Sequence, residues 1–337
     1  MAEAQARSGE GLASSAVSAG YEGLTRGLAA LPLAIDVVSV SGEQAGAYLQ
    51  GQLSQDISGL EVGECAWSLV LQPQGRLVAL VRVYRRSGEE FLLVTDAGVG
   101  QKLVERLNRF LLRTKAVVEQ LPWRSVAVRG PLAHGRTGDG PGANPASVRG
   151  HEGASVGPVG SGVALEASLA VPFEWGPLVG YDLVGASPAP PPGAVAASAA
   201  DYEAVRIEAG FPRHGAELDE RTIPAEAGIV EASVSFTKGC YTGQELVARI
   251  DSRGSHVPRR LHGLALEASA EPGTELLEAP SAGAKVVGKL TSTALSPRLG
   301  WVALAYTARG VHPGQALWAS SGERLVACEV RALPMAQ

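Results

Sequence analysis

Lysine is scarce in this 337-residue chain: only five of its 29 cationic residues are Lys, so any Lys inside a motif stands out. Positive charge is not in excess either. With 29 Lys and Arg against 34 Asp and Glu the net charge is −5, and no basic face of the kind that binds nucleic acid is forced on the molecule. Cysteine is confined to Cys65, Cys240 and Cys328. They are odd in number, far apart and without a CxxC pair or a Cys/His cluster, which argues against a disulfide framework and against structural zinc. Long apolar runs are missing too. Met1 to Gly20 lacks the apolar centre of a signal peptide. The longest uncharged stretch considered, Leu183 to Ala200, contains Pro188, Pro190, Pro191 and Pro192 and is unsuited to crossing a bilayer as a helix. These absences lead to the expectation of a soluble, cytoplasmic protein in a reducing compartment, with no membrane, nucleic-acid or metal partner. No GxGxxG follows a strand and no Walker A loop occurs, so nucleotide and dinucleotide folds fit poorly.

What the chain does have is 42 glycines and 21 prolines, well above the usual combined share of about 12%, and enough length for two or three domains. The first residues, to about position 30, read as a disordered tail with structure starting near Leu33. Ser41 and Gln44 have capping-box spacing ahead of Ala45, Tyr48 and Leu49, with Gly51 as a stop, so a short helix is predicted there. Cys65 to Leu71 and Arg76 to Tyr84, joined by Pro73-Gln74-Gly75, read as a hairpin, and Phe91 to Val94 as a third strand. Asp96 is a candidate N-cap for an amphipathic helix carrying Leu103, Leu107, Phe110 and Leu111. Strands followed by a helix argue for α+β with an antiparallel sheet.

Gly130 to Gly162 and Ala186 to Ala200 read as loops around a small middle unit. Asp201 is a candidate cap for a helix bearing Tyr202, Val205 and Ala209 and ended by Gly210. Beyond Pro258 the runs Leu264 to Leu266, Lys285 to Thr291, Trp301 to Tyr306 and Arg324 to Val330 suit a small β-barrel or sandwich. The division expected is a disordered tail (1–30), a first α+β domain (31–125 with 201–254), a middle α+β domain (126–200) and a C-terminal β-barrel (255–337).

The chemistry concentrates in Lys238-Gly239-Cys240-Tyr241-Thr242-Gly243-Gln244-Glu245, which runs into a helical stripe of Leu246, Val247 and Ile250. A Cys just before a helix N-terminus, with a Lys two residues away, favours the thiolate. The other reading is that Cys240, like Cys65 and Cys328, is a small buried hydrophobe. Arg206-Ile207-Glu208-Ala209-Gly210 places a carboxylate at a helix end, where the macrodipole does not favour it. A carboxylate beside an Arg suits an amino-pyrimidine or pterin ring, whose adjacent N–H groups it can accept side by side; an ordinary solvated helix end is the alternative. Glu217, Asp219, Glu220 and Glu226 match no EF-hand and read as a solvated face. The six histidines read as loop residues.

These motifs resemble the YgfZ-type folate-binding proteins, relatives of the glycine-cleavage T-protein, an aminomethyltransferase. The Lys238 to Glu245 segment is similar to that family's signature. Leu49-Gln50-Gly51-Gln52-Leu53, Gln74-Gly75-Arg76-Leu77, Arg206 to Gly210 and the Leu290 to Gly300 region are similar to its opening helix, first hairpin, central helix and C-terminal barrel. The resemblance implies a T-protein-like folate-binding fold, tetrahydrofolate as ligand, and support for the assembly or repair of iron–sulfur enzymes as transient partners. It implies Cys240 as the functional thiol, Glu208 facing the pterin, Arg206 supporting it and Tyr181 as an aromatic near the folate. Lys238, Gly239, Tyr241, Gly243, Gln244, Glu245 and Arg249 accompany them as folate-binding candidates. The related transferases carry an Asp pair after the hairpin Gly, whereas the corresponding positions here are Ala79 and Leu80. No Asp or Glu lies between Cys65 and Gly88, which weakens the alternative of a folate-dependent aminomethyltransferase, for which Glu208, Asp96 or Asp56 would have to supply the acid or base.

Overall fold

The computed structural model describes residues 17–136, 148–149, 168–252, 256–281, 283–322 and 324–335. The first half of the chain runs α1 (Ala19–Arg26), β1 (Ala29–Pro32), β2 (Ile35–Ser41), α2 (Ala45–Gln52), β3 (Glu64–Leu71), β4 (Leu77–Arg85), β5 (Glu90–Asp96), α3 (Gly100–Asn108), β6 (Val117–Leu121) and β7 (Arg124–Arg129). A 3-10 turn (Pro131–Arg136), β8 (Val148–Arg149), β9 (Leu169–Trp175), β10 (Leu178–Gly185), β11 (Val195–Ala196), α4 (Ala199–Ala209), α5 (Val230–Ser233) and α6 (Gln244–Ser252) follow. Six strands complete the fold: β12 (Arg259–Leu266), β13 (Glu275–Leu277), β14 (Val286–Ser296), β15 (Gly300–Ala308), β16 (Ala316–Ser321) and β17 (Arg324–Arg331).

Three sheets result. An antiparallel sheet has the order β6-β2-β5-β4-β3-β8, a second has the order β11-β1-β7-β10-β9, and β12-β15-β14-β13-β16-β17 closes into a barrel. The α+β expectation, with antiparallel sheets and a C-terminal barrel, therefore holds. Strand β4 reads as an almost unbroken apolar run because both its faces are covered. Ala79, Val81 and Val83 pack with Leu49 and Tyr48 of α2 and Leu103 of α3, while Tyr84 meets Val171 and Val184 of the second sheet.

Several local expectations are corrected. The segment before residue 30 is not a tail throughout, because Ala19–Arg26 is a helix capped by Ser18 with Tyr21 and Leu24 buried; residues 1–16 lie outside the described ones. The Ser41/Gln44 capping box does not form. Gln44 is the N-cap but makes no capping bond, and its side chain accepts from the Lys115 backbone instead. Asp96 does not cap α3 either; that part falls to Asp36, which accepts the Gly100 N–H at 2.7 Å, and Phe110 and Leu111 lie past the helix end. Asp201 is the reciprocal partner of a Ser198 capping box, and Gly210 ends α4 in the left-handed region. Strands β13 and β16 add to the four expected barrel runs; one is only three residues long, the other is Ala- and Ser-rich, so neither carries much β signal.

The acidic loop is not a solvated face as a whole. Glu217 and Glu226 are buried, and Glu217 meets the extensively hydrogen-bonded guanidinium of Arg206. Arg206, 1% exposed, donates from Nε and Nη2 to Glu203 at 2.9 and 2.7 Å, from Nη1 to the Phe211 carbonyl at 2.6 Å and to Glu217 at 3.1 Å, and from Nη2 to Ser292 Oγ of β14 at 2.7 Å. Glu217 also accepts from Thr291 and Ser292 at 2.7 and 2.6 Å. One guanidinium thus ties α4, the following loop and the barrel together. Arg206→Ala leaves the Glu217 carboxylate buried without its cation, and is expected to cost about 3–5 kcal/mol, read as a lower urea midpoint at unchanged m.

Candidate functional site

The central cavity, about 240 Å³, lies between the first two sheets, against α4 and the loop after it. Strand alternation builds its walls. On β10, Asp182 faces the cavity, while its neighbour Tyr181 turns to the far face and packs with Ala30 and Val128. Asp182 is 1% exposed and is gripped from two strands. Arg129 of β7 donates to Oδ1 at 2.8 Å, and Arg82 of β4 makes a close hydrogen-bonded ion pair with Oδ2. The two guanidiniums hold the Asp182 carboxyl below the ordinary range against the desolvation that would raise it. Each of its oxygens has one further lone pair.

Aromatic rings complete the walls. Phe173 and Phe211 meet edge to face at 5.2 Å, and Trp67 stands 5.7 and 5.6 Å from them. The Arg129 guanidinium lies 3.8 Å from the Phe173 ring centre, an arrangement worth most when desolvated. Two buried polar atoms among the described residues lack a hydrogen-bond partner, Arg129 Nε and His214 Nδ1, and both residues line this cavity. Buried polar groups are rarely left unpaired. Asp96, at the end of β5, lines the cavity beside His214 and accepts its backbone N–H at 2.6 Å. Burial raises the Asp96 carboxyl and lowers the His214 ring.

Of the residues singled out in the sequence, Arg206 lines this cavity, but its guanidinium is taken up by the contacts described above. Glu208 is two residues along α4, about 200° around the helix, and so leaves on another side. There it lines a separate cavity of about 390 Å³, accepts from Tyr21 at 2.8 and 3.1 Å and from Arg298 at 3.0 Å. Those donors supply the compensation that the helix end does not. Neither Glu208 nor Tyr181 shares the central cavity.

The signature segment lines neither cavity. Lys238 donates to the carbonyls of Gln50, Leu53 and Gln55 at 2.8, 2.7 and 2.9 Å, capping the C-terminus of α2. Burial draws its pKa down to about 8 against the pull of Asp56. The ammonium is thus committed to α2 rather than to the thiol. Thr242 N–H donates to the Gly51 carbonyl at 3.1 Å and Gln244 Oε1 accepts from the Tyr241 N–H at 3.1 Å. Tyr241 is half-buried, while Gly239, Cys240, Glu245 and Arg249 are exposed. Cys65 and Cys328 are buried, with thiols pushed up to about 12 and about 11.

Sequence reading passed over Asp182, Arg129 and Arg82. Asp182 is the single charge of β10, Arg82 stands inside the apolar run of β4 and Arg129 ends β7; charges so placed demand pairing where they are buried. Four similarities to known proteins bear on the geometry. The GCVT N-terminal domain matches residues 34–135. An aminomethyltransferase of Rubrobacter xylanophilus is 31% identical over 284 residues, covering 80% of this chain and 73% of that protein. An aminomethyltransferase of Corynebacterium jeikeium is 28% identical over 303 residues, covering 81% and 76%. The glycine cleavage system aminomethyltransferase T of Bartonella henselae superposes with a TM-score of 0.74 at 17% identity, over 94% of this chain and 88% of that one.

Two outcomes are expected. Because the Asp182 pKa is depressed by folding, the stability it confers is present above the unfolded carboxylate pKa and is lost as pH falls through the folded value. Asp182→Asn should therefore lose about 3–5 kcal/mol near neutral pH, with two cations left unpaired, and should flatten the acid limb of unfolding free energy against pH. Gly243 has φ +86°, and a Cβ there would stand 2.5 Å from the Gln72 carbonyl. Gly243→Ala is expected to lower stability by about 1–3 kcal/mol, measured by thermal melting, without altering the central cavity.

Proposed function

This chain belongs to the aminomethyltransferase family, and from that premise we propose that it binds a reduced folate, with the pterin ring in the central cavity. The observation that carries the reading is the pair of unpartnered polar atoms, Arg129 Nε and His214 Nδ1, in a cavity that also presents the Asp182 carboxylate. The residues fit the group. Asp182 can accept two adjacent N–H donors of an amino-pyrimidine through its remaining lone pairs, and Phe173, Phe211 and Trp67 offer apolar walls for a flat bicyclic ring. At about 240 Å³ the cavity suits the ring system, with the acidic tail outside near Arg213, which is half-exposed and shared with Glu203. Bound tetrahydrofolate would supply nitrogen atoms able to carry a one-carbon unit.

The protein is read as an accessory factor for iron–sulfur enzymes, acting on them through Cys240. The thiol is exposed, next in the chain to a segment whose Phe236 is 53% exposed, so a partner can reach it. Among the described residues no three His, Cys, Asp or Glu converge on a metal position, so a cluster at Cys240 would draw its other ligands from a partner. The second reading, a folate-dependent aminomethyltransferase, is favoured by Asp96, a carboxyl in the cavity.

Calorimetry with tetrahydrofolate tests the proposal. Wild type is expected to bind, Asp182→Asn to lose at least about tenfold in affinity, as for a lost charge-assisted bond, and Glu208→Gln and Cys240→Ser to bind as wild type. Cys240→Ser should then fail to support an iron–sulfur enzyme in cells. Absence of wild-type binding would refute the folate reading, and full support by Cys240→Ser would refute the thiol's part in it.

A further inference from the structure

Three carboxyl groups were candidates for acid–base work, and the fold separates them. Glu208 belongs to the second cavity. Asp56 is exposed and bound to Ser58 and Gln50. Only Asp96 lines the central cavity. The β4/β5 ladder ends with Arg82 opposite Val94; Leu80 and Asp96 each lie two residues beyond that pair, and both line the cavity. Thr95 Oγ1 donates to the Leu80 carbonyl at 2.9 Å, holding the two strand ends together. An apolar position of one strand and a carboxyl at the end of the adjacent strand thus share the cavity wall.

We infer that Asp96 is the ligand-facing acid–base group of the central cavity, its carboxylate accepting a ring N–H of the bound heterocycle from the wall it shares with Leu80, with His214 fixing it and presenting Nδ1 beside it. The inference rests on the folate reading above and deepens it. The backbone N–H of His214 occupies one Asp96 oxygen at 2.6 Å, which orients the carboxyl. The unpartnered Nδ1 of His214 lies in the same cavity wall. The charged groups acting on Asp96 are His214, Arg206 and Arg213, and those acting on His214 are Asp96, Lys102, Asp219 and Glu220. Burial outweighs the cations at Asp96 and the carboxylates at His214, so the carboxyl titrates above its ordinary range and the ring below its own. A raised carboxyl beside a lowered imidazole brings the two groups' proton affinities closer together, which suits them to passing a proton to and from a bound ligand.

Anaerobic calorimetry with tetrahydrofolate across pH, on wild type, Asp96→Asn, His214→Gln and Asp182→Asn, tests this. Wild-type affinity is expected to weaken on acidification in a step above the ordinary carboxylate range, because the protonated Asp96 no longer accepts. Asp96→Asn should bind at least about tenfold more weakly near neutral pH and lack that step, while His214→Gln keeps the step at reduced affinity. The ligand's own titration is common to all four proteins and cancels in the comparison. If Asp96→Asn melts like wild type and binds with the same affinity and pH profile while Asp182→Asn loses binding, the inference is overturned and the folate reading stands. If wild type does not bind, the folate reading fails and the inference with it.

Discussion

The buried guanidinium of Arg206 is the constraint on which the arrangement depends. It reaches from α4 to the loop beyond it and to β14 of the barrel, so the helix that separates the two cavities cannot turn or slide without breaking bonds to both neighbours. Fixing α4 fixes which residues face which cavity. Tyr202 and Arg206, one turn apart, lie toward the central cavity, and Val205 and Glu208 toward the other. Buried ion pairs of this kind add little net stability over an apolar packing, but losing one partner is costly. Here the pairing sets orientation.

A second charged cluster shapes the central cavity itself. Asp182 between Arg82 and Arg129 is a buried carboxylate kept ionised by two cations, and those cations stand close to the Trp67 and Phe173 rings. The cavity therefore combines a fixed negative charge, fixed donors and flat apolar walls, the combination on which the folate proposal rests. Ala79 and Leu80 stand where the resemblance to the transferases leads one to expect an Asp pair, and Asp96 supplies a carboxyl to the same cavity that Leu80 lines.

The signature segment illustrates how tertiary contacts take up the residues of a motif. Lys238 ends in three carbonyls at the end of α2, and Gly243 sits where the Gln72 carbonyl leaves no room for a Cβ. Much of the motif is thus explained by docking this loop onto α2 and the hairpin turn, and Cys240 is left exposed with Gly239 and Glu245. The chemistry of a Lys two residues from a Cys suggested a pair; the longer contact to a helix terminus, which carries partial negative charge, outcompeted it. Nothing local in the sequence reveals that competitor, because Gln50, Leu53 and Gln55 lie far away along the chain.

Composition, turn chemistry and strand alternation determined the α+β class, the β3/β4 hairpin, the third strand, the Gly210 stop and a C-terminal β unit that could be a barrel or a sandwich, since those depend on contacts between near neighbours or on period-2 burial. They also marked Cys65 and Cys328 as core residues. Tertiary structure decided the rest. Which acid caps α3, which carboxyl lies on which side of α4, and which charges pair in the core depend on residues distant in the chain, such as Asp36 with Gly100, Arg129 with Asp182 and Arg82 with Asp182. A buried charge announces only that a partner must exist; the fold alone selects it.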